Sequence, residues 1–474
     1  MSEPPEFSIR VDQNPYLPAG GREMHAIITV EATGAATEGT AEGTAEGVTG
    51  EAAAPGEAVP GEAAEIVIID SSGSMSYSGK LWAARRAAAG ALNVLRDGVH
   101  FAVIAGANQP RMIYPRGKRL VRMDATTREE AVSAVSTLEA AGGTAIGSWL
   151  LLADRLFADH RDAVRHAILL TDGKNQHETA EELDAALDQC AGDFVCDARG
   201  VGTDWNVAEL RKISSALLGS FLDVPDPQDL EADFREMTTA AMGKRVADVV
   251  LRVWTPRHAR LRFLKQMVPS VEDLTGRRTG SGQIGDYPLG AWGTEDREYH
   301  LCVEVPAGDV GRQMRAAWVK LVVPGTSGDP AERELAAQNV LAEWTDDEAK
   351  STRINARVAH HTGQSELAEA VQEGLEARRE GDVETATARL GRAVVLAGEV
   401  GNEQIAGLLD RVVEVIDRES GTVRLKKEVS KADEMSLDTR SVRTVRTAHR
   451  LDEGRPRTRA TRPASGGSAA TGEG

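Results

Sequence analysis

Cysteine is scarce in this chain: Cys190, Cys196 and Cys302 are the only three in 474 residues. An odd number with no Cys-x-x-Cys pair points to neither a disulfide framework nor a zinc knuckle, and leaves the thiols as small buried hydrophobes. Long apolar runs are missing too. None approaches the roughly 18–20 residues that a spanning helix needs, and Met1-Ser2-Glu3-Pro4-Pro5 lacks the basic and apolar regions of a secretory signal. A cytoplasmic protein is expected. Positive charge is in short supply: 55 Lys and Arg stand against 73 Asp and Glu, for a formal net charge of −18. Such a surface repels a phosphate backbone or an anionic membrane, so proteins are the expected partners. His160, His166 and His177 are scattered without ligand spacing, and His360-His361 precedes a helix, so all read as solvated or core histidines. The chain has no Gly-x-Ser-x-Gly elbow and no Gly-x-x-x-x-Gly-Lys-Ser/Thr loop, which removes sequence support for a serine hydrolase or a P-loop ATPase.

What is present falls into blocks, and 41% hydrophobic content is enough to bury a core in several domains. Residues 1–32 hold two apolar stretches, Phe7 to Asp12 and Met24 to Val30, around a Pro-Gly region at Pro18 to Gly21, the pattern of a β-hairpin. Residues 33–64 repeat Thr-Glu-Gly and Thr-Ala-Glu-Gly and contain no Lys or Arg. Apolar burial there is too small to offset ordering entropy, so a disordered acidic linker is expected. Residues 65–243 alternate strands and helices, the pattern of an α/β, doubly wound, mostly parallel sheet of Rossmann-like type. Thr126 or Thr127 has the capping-box spacing to Glu129 or Glu130 and should open the second helix. Residues 244–346 carry strand-length apolar runs and are expected to form a β-sandwich that residues 1–32 complete, with the α/β domain inserted in it. Residues 336–344 fit a strand or a helix equally. Residues 347–418 suggest a small α-helical domain of three antiparallel helices, the last including Leu408 to Val415. Residues 419–474, rich in Arg and poor in large apolar residues, read as a disordered basic Ser/Thr tail.

The apolar strand Glu65 to Ile69 runs directly into Asp70-Ser71-Ser72-Gly73-Ser74. Ligands of open α/β sheets gather beyond the carboxyl ends of the strands, and Asp70, Ser72 and Ser74 set three oxygens there at two-residue spacing. Thr144, within Gly142-Gly143-Thr144-Ala145, and Asp172, after a second apolar strand, stand at two further loop tips expected on the same side. Carboxylates with hydroxyls make hard-cation chemistry, suited to Mg²⁺ or Mn²⁺; zinc or copper would call for His or Cys. A Ser-rich helix cap is the plain alternative. Asp204, in Gly202-Thr203-Asp204-Trp205, reads as a helix cap and not a ligand.

Together Asp70-x-Ser72-x-Ser74, Thr144 and Asp172-Gly173 resemble the metal-ion-dependent adhesion site of von Willebrand factor A domains, over roughly residues 65–243. The resemblance implies a divalent cation, usually Mg²⁺, held directly by Ser72, Ser74 and sometimes Thr144, with Asp70 and Asp172 bonded directly or through water. It leaves one coordination position for an Asp or Glu of a partner protein, and implies binding without turnover. The flanking β segments are similar to the split sandwich around such domains in bacterial cytoplasmic proteins, where members are tied to Ser/Thr-kinase signalling and forkhead-associated domains. A non-enzymatic adaptor is the expected function. Thr439, Ser441, Thr444 and Thr447 alternate with Arg440, Arg443 and Arg446 and offer hydroxyls to a kinase, the three threonines then to a phosphothreonine-binding domain. Two rivals stand beside it. One is an A-domain subunit of a chelatase- or chaperone-type ATPase; the other is a Mg²⁺-dependent phosphohydrolase with Asp70 as nucleophile, which wants a second Asp where Ser72 stands.

Overall fold

The computed structural model describes residues 5–34, 62–325 and 331–444. Nearly all of the expected linker at 33–64, and Thr447 with the chain beyond Thr444, lie outside them. The chain begins with β1 (Glu6–Gln13), β2 (Tyr16–Pro18) and β3 (Glu23–Thr33), and β1 pairs antiparallel with β3 from Glu6 opposite Thr33. β4 (Ala63–Asp70) follows and is buried at every position. Its side chains alternate between two cores: Ile66 and Ile68 enter one, Val67 and Ile69 the other. A strand covered on both faces reads as a continuous apolar run, which is why Ile66-Val67-Ile68-Ile69 lacks polar alternation.

After α1 (Lys80–Val94) come β5 (His100–Gly106), β6 (Arg111–Tyr114), β7 (Val121–Arg122), α2 (Ala125–Ser136), α3 (Ile146–Phe157) and β8 (Val164–Thr171). The domain ends with α4 (Ala180–Cys190), β9 (Val195–Val201), α5 (Val207–Ala216), β10 (Phe221–Val224) and α6 (Leu230–Met242). The sheet order is β10-β9-β8-β4-β5-β6, with β4 parallel to both β5 and β8 and β6 antiparallel at the edge. Helices α3, α4 and α5 cover one face through Trp149, Leu187 and Ile213; α1, α2 and α6 cover the other through Ala87, Val135 and Phe234. The cap of α2 is Asp124, whose side chain accepts the Thr127 N–H while Thr127 answers the Asp124 N–H. The box therefore starts two residues before Thr126, and Thr127 serves as its third position and not as the cap.

Next are β11 (Val246–Trp254), β12 (Arg260–Val268), β13 (Glu272–Asp273), β14 (Ile284–Trp292), β15 (Glu295–Glu304), β16 (Gln313–Val323) and β17 (Arg333–Thr345). Two sheets, β1-β3-β15-β12-β13 and β14-β11-β16-β17-β2, enclose one core containing Ile28, Trp292, Tyr299 and Trp344. The N-terminal strands thus supply both sheets. β17 settles the ambiguous 336–344 stretch as strand, by antiparallel pairing to β16 and parallel pairing to β2.

The remainder comprises α7 (Glu348–Ser351), α8 (Ala356–Glu380), α9 (Val383–Glu399), α10 (Glu403–Val412), β18 (Val413–Asp417), β19 (Thr422–Leu425) and α11 (Lys431–Arg440). Two expectations fail here. The third helix stops at Val412, and the β-branched run Val412, Val413, Val415 and Ile416 continues as a hairpin strand paired with β19. Residues 419–444 are ordered, not tail. α11 is held by tertiary polar contacts: Asp223 accepts from Ser436 Oγ at 2.5 Å and from Arg440 Nε at 3.2 Å, and Asp438 takes Arg211 and Arg379 at 2.6 and 2.5 Å. Composition cannot register partners that lie about 60 to 230 residues away in sequence. Thr439 is 1% exposed and Ser441 is buried, so neither sits in a loose segment; the Thr444 hydroxyl lies at the surface and donates to the Pro269 carbonyl. No helix among the described residues is long and apolar enough to cross a membrane. All three cysteines are free and buried.

Candidate metal centre

Three loops meet at the carboxyl end of β4 and β8. The loop after β4 is pinned by Ser71, whose N–H and Oγ both donate to the Gly106 carbonyl at the end of β5, at 2.7 and 2.9 Å. It is joined to the loop before α3 by Ala141 N–H to the Ser71 carbonyl and Gly73 N–H to the Gly142 carbonyl. That second loop is joined to the one after β8: Thr144 N–H donates to His177 Nδ1 at 3.1 Å, and the Thr144 carbonyl accepts the N–H groups of Gln176 and His177. His177, scattered in sequence, is a brace for Thr144.

Within this frame the carboxylates are fully buried. Asp70 Oδ1 accepts the Ser72 N–H at 2.7 Å and Oδ2 the Thr171 hydroxyl at 2.6 Å. Ser72 Oγ lies 3.0 Å from Ser74 Oγ, and Ser74 Oγ donates to Asp172 Oδ1 at 2.7 Å. A Cβ built on Gly173 would stand 3.5 Å from Thr144 Oγ1 and 3.6 Å from Ser74 Oγ, so the Gly173 backbone comes close to both hydroxyls. The structure therefore brings Asp70, Ser72, Ser74 and Asp172 into one hydrogen-bonded chain, with Thr144 beside it. A helix cap does not account for them: the 3₁₀ turn Gly73–Ser76 and helix α1 both begin without a side-chain cap, from Ser72 and Gly79.

The electrostatics suit a cation. Burial pushes the Asp70 carboxyl above its ordinary range, bonds from Thr171 and Ser72 pull it back, and the nearby Asp172 charge pushes it up again. Two buried like charges call for positive charge beside them; the Lys80 ammonium on Asp172 supplies one unit, and a divalent ion would supply more. Among the described residues no three His, Cys, Asp or Glu side chains converge as a ligand set; here the donors are two carboxylates and three hydroxyls, which is oxygen chemistry for a small hard ion. The residues present fit a divalent cation of the Mg²⁺ class.

Sequence reasoning missed two members of the site. Thr171 is the last residue of β8, where a hydroxyl closing the apolar run Ala167-Ile168-Leu169-Leu170 was the available sign. Lys80 is buried, and its Nζ donates to Asp172 Oδ2 at 2.7 Å. The sign was a lysine in the first helical position, where the helix dipole disfavours a cation. Asp204 is no cap: Asn206 caps α5, while the Asp204 carboxylate is 67% exposed and 3.5 Å from Lys80 Nζ.

Residues 64–221 match the sequence model of the von Willebrand factor type A domain, and residues 395–441 that of the von Willebrand factor type A C-terminal domain. The latter takes in α10, the β18–β19 hairpin and α11. An uncharacterised protein of Synechocystis sp. is 28% identical over 221 residues, 45% of this chain, and the chain spans about half (51%) of that relative's length. The ArnB paralogue VWA2 of Sulfolobus acidocaldarius shares the fold at 14% identity, TM-score 0.52, over 93% of this chain and 98% of its own. A solved von Willebrand factor type A structure from Catenulispora acidiphila is 45% identical, with a TM-score of 0.85 over 94% of this chain and 98% of that one. With a relative so similar along nearly its whole length, the chain belongs to the von Willebrand factor type A family.

Proposed function

We propose that this chain is a cytoplasmic, non-enzymatic adaptor that grips a partner protein's Asp or Glu through a Mg²⁺ or Mn²⁺ ion at the Asp70 site. The observation that carries the reading is the convergence of two buried carboxylates and three hydroxyls from three mutually bonded loops. Asp70 and Asp172 supply negative charge, and Ser72, Ser74 and Thr144 supply neutral oxygens. When bound, the ion supplies an electrophilic centre for one further carboxylate. Thr171 and the Ser72 N–H hold the Asp70 carboxylate in place, so it does not reorganise when the partner arrives. Ser72 stands where a phosphohydrolase would carry its second Asp, which favours binding over turnover. Unpaired thiols throughout the described residues are in keeping with a reducing compartment.

Titration with Mn²⁺ followed by electron paramagnetic resonance tests the site. The wild type should take up one ion, and Asp70→Ala or the Ser72→Ala/Ser74→Ala pair should lose it with the far-ultraviolet dichroism unchanged. Partner capture from lysate should then require Mg²⁺ and fail with chelator. Capture indifferent to chelator and to both substitutions would sink the reading; hydrolysis of a general phosphatase substrate that disappears in Asp70→Asn would replace it by the phosphohydrolase.

A further inference from the structure

Lys80 is an odd residue for its place. It occupies the first position of α1, where the helix dipole disfavours a cation, and no acidic residue lies in that first turn to compensate. Its side chain is nevertheless buried, and runs along the turn after β9: a Cβ on Gly202 would lie 3.2 Å from Lys80 Cε and 3.6 Å from Nζ. The ammonium ends on Asp172 Oδ2, while the other oxygen of that carboxylate, Oδ1, receives the Ser74 hydroxyl. Asp172 is thus shared between a resident cation on one side and the hydroxyl chain of the metal centre on the other. The second contact of Lys80 is Asp204, an exposed carboxylate that also faces Lys431 Nζ at 3.8 Å. That outer pair is screened by solvent and nearly self-compensating. The inner charge of the site is therefore set by Asp70, Asp172 and Lys80.

We propose that Lys80 is a built-in cation of this site, which weakens its hold on a divalent ion and, by the same charge, strengthens the loaded site's hold on an incoming carboxylate. The inference rests on the cation-dependent reading above and adds a residue to it. Two carboxylates and one ammonium sum to a single negative charge. A divalent ion brings the sum to plus one, the charge that a single partner carboxylate neutralises. Without Lys80 the loaded site would be neutral, and would bind the ion more tightly and the partner more weakly. Charges this close, on side chains as buried as Asp70, Asp172 and Lys80, interact by more than thermal energy. The two effects have opposite signs, which a merely structural role for Lys80 would not produce.

The test uses the full chain and two probes, Mn²⁺ alone and acetate. Free Mn²⁺ is followed by electron paramagnetic resonance, and acetate by its displacement of Mn²⁺-bound water, read as proton relaxation. For Lys80→Met we expect Mn²⁺ affinity to rise about tenfold or more and acetate affinity of the loaded protein to fall by a similar factor. Lys80→Arg, which keeps the charge, should stay within about threefold of wild type on both. If Lys80→Met does not fold, Lys80→Gln keeps a donor for Asp172 without the charge and should show the same two shifts. Mn²⁺ affinity that is unchanged or lowered in the neutral variants overturns the proposal, as does acetate affinity that is unchanged or raised. If the wild type binds Mn²⁺ and the neutral variants merely equal it, only the role of Lys80 falls. Failure of wild type and variants alike to bind Mn²⁺, with folding intact, removes the metal reading and this inference with it.

Discussion

Strands β4 and β8 bury charge at both ends, and the two ends are built differently. At the carboxyl end, Asp70 and Asp172 meet hydroxyls and the flexible stem of Lys80. At the amino end, Glu65 of β4 and Asp197 of β9 flank His166 of β8. His166 Nδ1 lies 2.8 Å from Glu65 Oε1, and Nε2 lies 3.0 Å from Asp197 Oδ2. Burial alone would lower the pKa of His166, but the charges and bonds of Glu65 and Asp197 outweigh it and lift it to about 10. The imidazolium is fixed between its partners by the strand register and both of its N–H groups are spent. That end is a closed set, whereas the other has neutral oxygens that can change partners. The same fold places a His between two acids at one end of these strands, and two carboxylates among hydroxyls and one ammonium at the other.

The comparison is sharpest where it is broken on one side only. His166→Leu should have the largest effect on stability, because it strands the fully buried Glu65 carboxylate, whereas Asp197 keeps its bonds from Ser220; a loss of ~3–5 kcal/mol is expected in urea unfolding, with Mn²⁺ affinity unchanged. A parallel loss of Mn²⁺ affinity would show that the two ends are not independent. The same triad should make stability depend on pH. A folded-state pKa near 10 lies above the ordinary value of about 6.5. The contribution is therefore complete below the ordinary value and is lost as pH rises through the folded one. Thermal midpoints of the wild type should fall from pH 7 to 10 with a slope that His166→Gln lacks. At the other end, Thr171→Val removes the hydroxyl bonded to the buried Asp70 and should cost about 1.5–3 kcal/mol in the same urea assay. Ser72→Ala with Ser74→Ala should cost less, about 1–2 kcal/mol, while abolishing Mn²⁺ uptake. Asp204→Asn, at an exposed pair, should leave the thermal midpoint within error.

How much could be read in advance follows the range of the interactions. Asp70, Ser72 and Ser74 belong to one loop on a strand whose apolar run announces its burial, and Thr144 and Asp172 stand beside glycines at loop tips, so the site could be assembled from local pattern. Lys80 and Thr171 escaped because their roles depend on which carboxylate sits opposite. The Glu65–His166–Asp197 triad escaped for the same reason: a His beside Arg165 at the start of a strand carries no sign of the acids on neighbouring strands. In α11, the buried Asp438 and Thr439 carry the composition of a tail, and only Asp223, Arg211 and Arg379 make an ordered helix of it.

The sequence by itself determined the alternation of strands and helices, the N-terminal contribution to the sandwich, and the oxygen chemistry of the loop after β4. Hydrophobic periodicity and turn residues act over a few positions and are written in order along the chain. The tertiary structure alone decided which charges face one another. It set Lys80 on Asp172, His166 between two acids, and α11 against β10, because a buried charge is stabilised by whatever lies across the fold from it, and that neighbour has no fixed distance in sequence.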